Sequence, residues 1–366
     1  MRKHISPCPK KSDHPSCKVY DIAYIRLGRK NLKNTLQYYL DFGLILCEET
    51  ESRILFRSHG SSFPCWSVEK SDRDKVLGLG LFVSSQKDFI EISKIKNAVP
   101  NPSGRFGNAP SVTLNDPSGL PVDVVYKHQV DLEHPFEIKR EWNKPHLTKR
   151  INIPQPAEFG PAKVIRLGHA VFLKQEFFEN AQWYCDHFGF IPSDIQILPH
   201  SKEPVISFLR CDRGDQLTDH HSIVIATGID DRLEHCAFEL DDMEEIAKGR
   251  DWLLRKGGKS AWGIGRHLLG SQIFDYKRDP SGMLVEHFTD GDRFDDSVPT
   301  AYHLIGRDNL YQWGEDMPED FLDTKLSFRK LKELWKGIFS GKQIRLQSIL
   351  ELKKVMDKSP RPWIKY

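Results

Sequence analysis

GIGRHLLGSQIFDYKRDPSGMLVEHFTDGD, from Gly263 to Asp292, reads as two strands, QIFDYKRD and MLVEHF, joined by the turn Asp279-Pro280-Ser281-Gly282. Proline presets φ at the second position of such a turn, and glycine tolerates positive φ near its end. Glu286 falls inside the second strand. A carboxylate in a half-buried strand needs a proton, a cation or a metal to offset its desolvation. The same stretch holds His267 and, nine residues on, Tyr276.

The turn occurs twice. VTLNDPSGLPVDVVY (112–126) parallels FDYKRDPSGMLVEHF (274–288). Upstream, YDIAYIRLGRKNLKNTLQYYLDFGLIL (20–46) parallels VIRLGHAVFLKQEFFENAQWYCDHFGFIP (164–192). Each of these reads as an apolar strand, an amphipathic helix bearing aromatics, and a Phe-Gly stop suited to a left-handed cap. VLGLGLFVSSQKDFI (76–90) likewise parallels RLEHCAFELDDMEEI (232–246). A repeat this long is a tandem domain duplication rather than a solenoid period. The chain therefore divides into an N-terminal arm (1–17), expected to be mobile, a first module (18–127), a linker rich in proline and charge (128–163), a second module (164–297) and a C-terminal extension (298–366). In the extension, 302–321 reads as loop and short turns. Residues 326–358 read as two helices broken near Ser340-Gly341, with a role in packing or oligomer contact.

The bulk composition narrows the function. The 366 residues are 39% hydrophobic and 28% charged, with a formal net charge of +2. That is ordinary for a soluble globular protein and implies no nucleic-acid partner. No apolar run reaches membrane-spanning length, and nothing at the start resembles a signal peptide. Seven cysteines without a CxxC pair fit free thiols in a reducing compartment, so a cytoplasmic site is expected.

The duplication provides an internal control. Aligned on the two turns, Asp123 stands opposite Glu286. Aligned on the strands, Leu79 stands opposite His235, and Ala23 or a neighbour opposite His169. The second copy thus carries His, His and Glu at three strand positions where the first does not. Singly, each histidine reads as a satisfied core residue and Glu286 as the partner of an arginine. Together they point to a metal: two histidines and a carboxylate with open positions suit non-haem Fe(II), with Mn(II) possible, and the same set serves hydrolytic zinc.

Leu167-Gly168-His169, the run Leu233 to Phe238 around His235, and the set His267, Tyr276, Pro280, Gly282 and Glu286 together carry a resemblance. The chain resembles the type I extradiol ring-cleavage dioxygenases of the vicinal oxygen chelate superfamily, which includes catechol 2,3-dioxygenases and 2,3-dihydroxybiphenyl dioxygenases. The resemblance spans roughly residues 18–297, and the run FLRCDRGDQLTDHHS (208–222) looks closest to the trihydroxytoluene oxygenase-like branch. Asp275 departs from the pattern, which has an apolar residue before the tyrosine.

The resemblance implies an α+β fold of tandem paired βαβββ modules with a helical C-terminal extension. It implies Fe(II) held by His169, His235 and Glu286, and extradiol (meta) cleavage of a catecholic or trihydroxylated aromatic by O2 to a hydroxymuconic semialdehyde-type product. It implies a histidine as acid–base, for which His221 fits and His220 stays open, and a homo-oligomer. Tyr276 and His267 would hydrogen-bond the reacting oxygens. Arg266 reads as a solvated side chain or as a contact to an anionic substituent. Trp183, Phe188, Trp262, Phe288 and Trp313 are candidates for the substrate cavity. The alternatives are a metal-dependent lyase or isomerase of the glyoxalase kind and a non-enzymatic small-molecule binder on the same scaffold.

Overall fold

The computed structural model describes residues 7–106, 109–127, 140–155, 158–321, 332, 335, 337, 339 and 346–358. The first module begins with β1 (Asp21–Arg29), α1 (Leu32–Phe42), β2 (Ile45–Glu49), β3 (Arg53–Arg57) and β4 (Pro64–Lys70). It repeats the pattern as β5 (Lys75–Val83), α2 (Gln86–Ser93), β6 (Val99–Asn101), β7 (Ser111–Asn115) and β8 (Pro121–Tyr126). These two βαβββ units form one sheet in the order β2-β3-β4-β1-β5-β8-β7-β6.

The second module is built the same way. Its first unit is β9 (Arg166–Lys174), α3 (Phe177–Phe188), β10 (Ile191–Ile197), β11 (Pro204–Arg210), a short β12 (Thr218–Asp219) and β13 (Ile223–Thr227). Its second is β14 (Arg232–Glu239), α4 (Met243–Arg255), β15 (Lys259–His267), β16 (Ile273–Arg278) and β17 (Leu284–Thr289). The α+β architecture of paired βαβββ units expected from the sequence is the one observed. Gly43 and Gly189 end α1 and α3 in the left-handed region, at φ 111° and 71°.

The two Asp-Pro-Ser-Gly turns do more than reverse the chain. Each aspartate caps its own turn: Asp116 Oδ1 accepts from Ser118 and Leu120, and Asp279 Oδ1 from Ser281 and Met283. The other oxygen of each is gripped by the opposite module. Lys174 Nζ lies 2.5 Å from Asp116 Oδ2, and Arg29 Nη2 lies 3.1 Å from Asp279 Oδ2. Tyr184 and Tyr39 donate to the same two oxygens. The duplicated modules are thus latched reciprocally, through buried groups. Phe42, Trp66 and Phe238 join their apolar cores around these latches.

Three expectations need correction. Residues 302–321 are not only loop: β18 (Ala301–Leu304) pairs with β10, and β19 (Tyr311–Gly314) with β15. The C-terminal sheet thereby gains a strand at each edge, a sensible way to cover unpaired backbone. The segment before β1 is not free. Ser16, Cys17 and Val19 donate to the backbone carbonyls of Asp186, His187 and Phe188, because Cys17 and Val19 bury apolar side chains there. Finally, α5 (Leu346–Lys358) lines the cavity described below, beyond any general packing role. The first of the two expected terminal helices lies largely outside the described residues, as does much of the linker.

Candidate metal centre and cavity

His169 projects from β9, His235 from β14 and Glu286 from β17, three adjacent strands. In the ladder Ala237 pairs with both His169 and Glu286, and His235 stands two residues before it, on the same face. The three side chains bring one ligand atom each within 4.8 Å of one another. Glu286 Oε2 lies 3.5 Å from Nε2 of both His169 and His235.

Glu286 is fully buried, and neither of its oxygens has a hydrogen-bond partner among the described residues. Burial pushes its carboxyl up, but the facing imidazoles of His169, His235 and His267 outweigh it and hold it below the usual range. Burial keeps His169 below its ordinary value, hence neutral. Nδ1 of His235 donates to the Glu234 carboxylate, which orients the ring with Nε2 toward Glu286; burial pushes this imidazole down, but the Glu234 and Glu286 carboxylates outweigh it and raise it above its ordinary value. An unpaired buried carboxylate facing two imidazole nitrogens is a donor set that fits a divalent cation.

The first module shows the alternative. In its ladder Gly80 pairs with both Tyr24 and Asp123, so Tyr24 stands where His169 does, and Gly78 where His235 does. Ala23 and Leu79 are each one residue out of this register. The Tyr24 hydroxyl donates to Asp123 at 2.8 Å, Arg105 forks onto both carboxylate oxygens at 3.0 and 3.1 Å, and Thr113 adds a further bond. A guanidinium and hydroxyls there do what a cation would have to do for Glu286. Tyr24 needs Gly80 beneath it, since a Cβ at Gly80 would lie 2.6 Å from its ring.

A cavity of about 350 Å³ is lined by His169 and His235. Its walls are mainly apolar, including Val171, Ile206, Phe208, Val224, Phe321 and Met356. His221, His267 and Tyr276 line it too. His267 Nδ1 donates to the Leu310 carbonyl at 2.8 Å, so its Nε2 accepts from the Tyr276 hydroxyl at 2.9 Å. Burial and the nearby carboxylates of Glu286 and Glu234 raise the Tyr276 phenol well above its ordinary value, which keeps it protonated. The His221 ring centroid lies 4.3 Å from that of His169. His220 points away from the cavity, toward Asp194 at 2.6 Å.

The aromatic candidates fare unevenly. Trp262 lines the cavity, whereas Trp183, Phe188, Phe288 and Trp313 do not. Phe288 instead packs under the His169 ring, and Trp313 stacks on Arg266. Arg266 itself binds Asp290 at the surface. Asp275, unexplained by sequence, faces the other side of β16. It is buried between Lys277 at 2.6 Å and Arg250 at 2.7 Å, and Lys277 in turn donates to His287. Sequence reasoning missed Glu234 and α5 as parts of the site. A glutamate directly before a ligand histidine was a legible signal; the return of a distant helix was not.

Comparisons with known proteins agree with this geometry. A family model described as the Glyoxalase/Bleomycin resistance protein/Dioxygenase superfamily matches residues 166–287, the span that carries all three ligand atoms. Metapyrocatechase 2 of Cupriavidus necator is 24% identical over 334 residues, 88% of this chain and 98% of its own. An extradiol ring-cleaving dioxygenase from B. fuscum superposes with a TM-score of 0.69 at 17% identity, covering 87% of this chain and 84% of its own. A Mn(II)-bound glyoxalase from Novosphingobium aromaticivorans superposes with a TM-score of 0.65 at 21% identity, covering 82% and 93%. The two structural likenesses concern the fold. Among the described residues no helix is long and apolar enough to cross a membrane. Residues 166–287 thus carry a Glyoxalase/Bleomycin resistance protein/Dioxygenase superfamily domain, and the homologues of the chain are catechol dioxygenases, among them Metapyrocatechase 2 and a biphenyl-2,3-diol 1,2-dioxygenase of Metapseudomonas furukawaii, 24% identical over 76% of this chain and 87% of its own.

Proposed function

We propose that the protein is an extradiol catechol dioxygenase, with His169, His235 and Glu286 holding a catalytic Fe(II). The observation that carries this reading is Glu286: a buried carboxylate without a hydrogen-bond partner among the described residues, faced by two imidazoles that themselves line an apolar cavity. Mn(II) accepts the same donors. The metal would supply Lewis acidity toward two adjacent phenolic oxygens and a site for O2.

The chain's own residues do the rest. Three protein donors on one side leave the cavity side open, where a catechol can lie with its hydroxyls toward the ligands. Tyr276, protonated and held by His267, offers its hydroxyl to a substrate oxygen. His221 is placed to move protons: it would accept one from a catechol hydroxyl on binding and return one to an oxygen atom of the reacting substrate. The apolar walls and α5 exclude water and favour a catechol with an apolar ring substituent. The cations at the rim, Arg232 and Lys353, are paired with Asp230 and Asp357.

The likeness to a Mn(II)-bound glyoxalase keeps a lyase or isomerase as the second reading. His221, His267 and Tyr276 converging on one cavity favour the dioxygenase. Anaerobic reconstitution with Fe(II), followed by catechol, methylcatechol, a biphenyl-diol and trihydroxybenzene in an oxygen electrode, tests it. Oxygen uptake with a yellow ring-opened product is expected. Absence of uptake from fully metallated protein across the panel would refute the reading.

A further inference from the structure

The apolar wall of the cavity ends on one polar side chain that the proposed reaction has not used. His169, Val171 and Leu173 project from one face of β9. The ladder sets Val171 opposite Val224, and Val224 opposite Phe208. It sets Leu173 opposite Ala226, Ala226 opposite Ile206, and Ile206 opposite Gln196 on β10. Residues opposite one another in a ladder share a face. Gln196 therefore points to the same side as His169, and every residue of these rows except the buried Asp194 beside Phe208 lines the cavity. Gln196 stands three strands across from Leu173, which is itself four residues beyond His169. The amide is thus at the far end of the cavity from His169.

Gln196 is 1% exposed, and its Oε1 has no hydrogen-bond partner among the described residues. Asp194, two residues earlier on the same face, gives the contrast: His220 bonds one of its oxygens and His303 the other. Polar groups elsewhere around the cavity are engaged as well. Arg232 bonds Asp230, Lys353 bonds Asp357, and Asn309 donates to the Leu304 carbonyl. A buried amide oxygen left unpaired is costly, and a leucine or methionine would fill the same space without that cost. An acceptor held in an otherwise apolar wall is how a small-molecule site reads a donor on its ligand.

We propose that Gln196 is a specificity-determining residue, whose Oε1 accepts a hydrogen bond from a hydroxyl or N–H group at the distal end of the substrate's ring substituent. This inference rests on the proposed reading of the cavity as a catechol site. With the two adjacent hydroxyls directed at His169, His235 and Glu286, a substituent has to run along the row of Val171, Val224 and Ile206 to reach Gln196. That path is apolar until its last step. The substrate class is therefore a catechol with an extended, mostly apolar substituent that ends in a hydrogen-bond donor. A second ring attached to the catechol is such a spacer, and a hydroxyl on that ring is such a donor.

The test uses the Fe(II) holoenzyme without oxygen, so that binding is read apart from turnover. Isothermal titration calorimetry compares biphenyl-diols bearing a meta or para hydroxyl on the second ring with their methyl counterparts. Methyl matches hydroxyl in size and cannot donate. The wild type should bind one of the hydroxyl compounds at least about 10-fold more tightly than its methyl counterpart. Gln196→Met keeps the volume and removes the acceptor, and should bring that ratio to about 1. Without ligand, Gln196→Met should melt no lower than the wild type, because the change removes an unpaired buried amide. A wild type with no preference would overturn the inference, as would a preference that survives in Gln196→Met. A variant that melts lower or does not fold would also overturn it, by showing the amide engaged within the protein. Oxygen uptake then separates the two proposals. The binding ratio without turnover of any compound would refute the dioxygenase and uphold the role of Gln196; turnover without the ratio would refute the role of Gln196 alone.

Discussion

Asp123 and Glu286 occupy the same strand position in the two modules, and each is a fully buried carboxylate. Asp123 is satisfied by Arg105, Tyr24 and Thr113, whereas Glu286 has no hydrogen bond among the described residues and faces only the imidazoles of His169 and His235 at 3.5 Å. Arg105→Met should therefore strand a buried charge in the first module and destabilise the protein by about 2–4 kcal/mol. Chemical denaturation reads that loss. Metal content should not change, because the first module takes no part in binding.

Lys174→Met removes the one cation that, among the described residues, bonds the interface oxygen of Asp116 and leaves that carboxylate buried. Breaking such a pair costs about 3–5 kcal/mol. Thermal denaturation should show the drop in Tm. Unchanged stability would mean that the reciprocal grip of the two turns contributes nothing to module docking.

Tyr276→Phe deletes the hydroxyl aimed at the cavity while keeping the ring packed against Trp262 and Phe321. A positioned donor or acid is worth roughly 100-fold in rate or more. A kcat reduced by about that factor, with iron retained, is the expected outcome. A fully active variant would assign Tyr276 to packing.

Leu352 on α5 lines the cavity opposite the ligands. Leu352→Trp should raise KM for a biphenyl-type catechol about 10-fold or more while leaving unsubstituted catechol little affected. Equal effects on both substrates, or on neither, would remove α5 from the substrate wall.

Much of this was legible in the chain because duplication supplies its own control. The repeated Asp-Pro-Ser-Gly turn gave the strand order around Glu286, and the unequal histidines pointed to one module only. The register was less legible. A strand has a period of two, so the one-residue error at Leu79 put the wrong face toward the site, while the choice between Ala23 and its neighbour stayed open until the structure put Tyr24 there. Irregular pairing at Ile22/Tyr24 hides the shift from any count along the chain. Asp275 could not be explained because its partner Arg250 comes from a helix 25 residues earlier in sequence. The edge strands at Ala301–Leu304 and Tyr311–Gly314 are four residues each, too short for periodicity to register. The contribution of α5 to the cavity arises from tertiary return of the tail, which no local pattern encodes.

On the proposed reading, Glu286 has no hydrogen-bond partner among the described residues because it ligates the metal. Replacing it with glutamine removes the charge and keeps the shape. Metal content after Fe(II) reconstitution, measured by atomic spectroscopy beside a circular dichroism spectrum, tests the claim most directly. One metal ion per wild-type chain and essentially none in a folded Glu286→Gln variant is the predicted result. Full metal content in that variant would contradict the account.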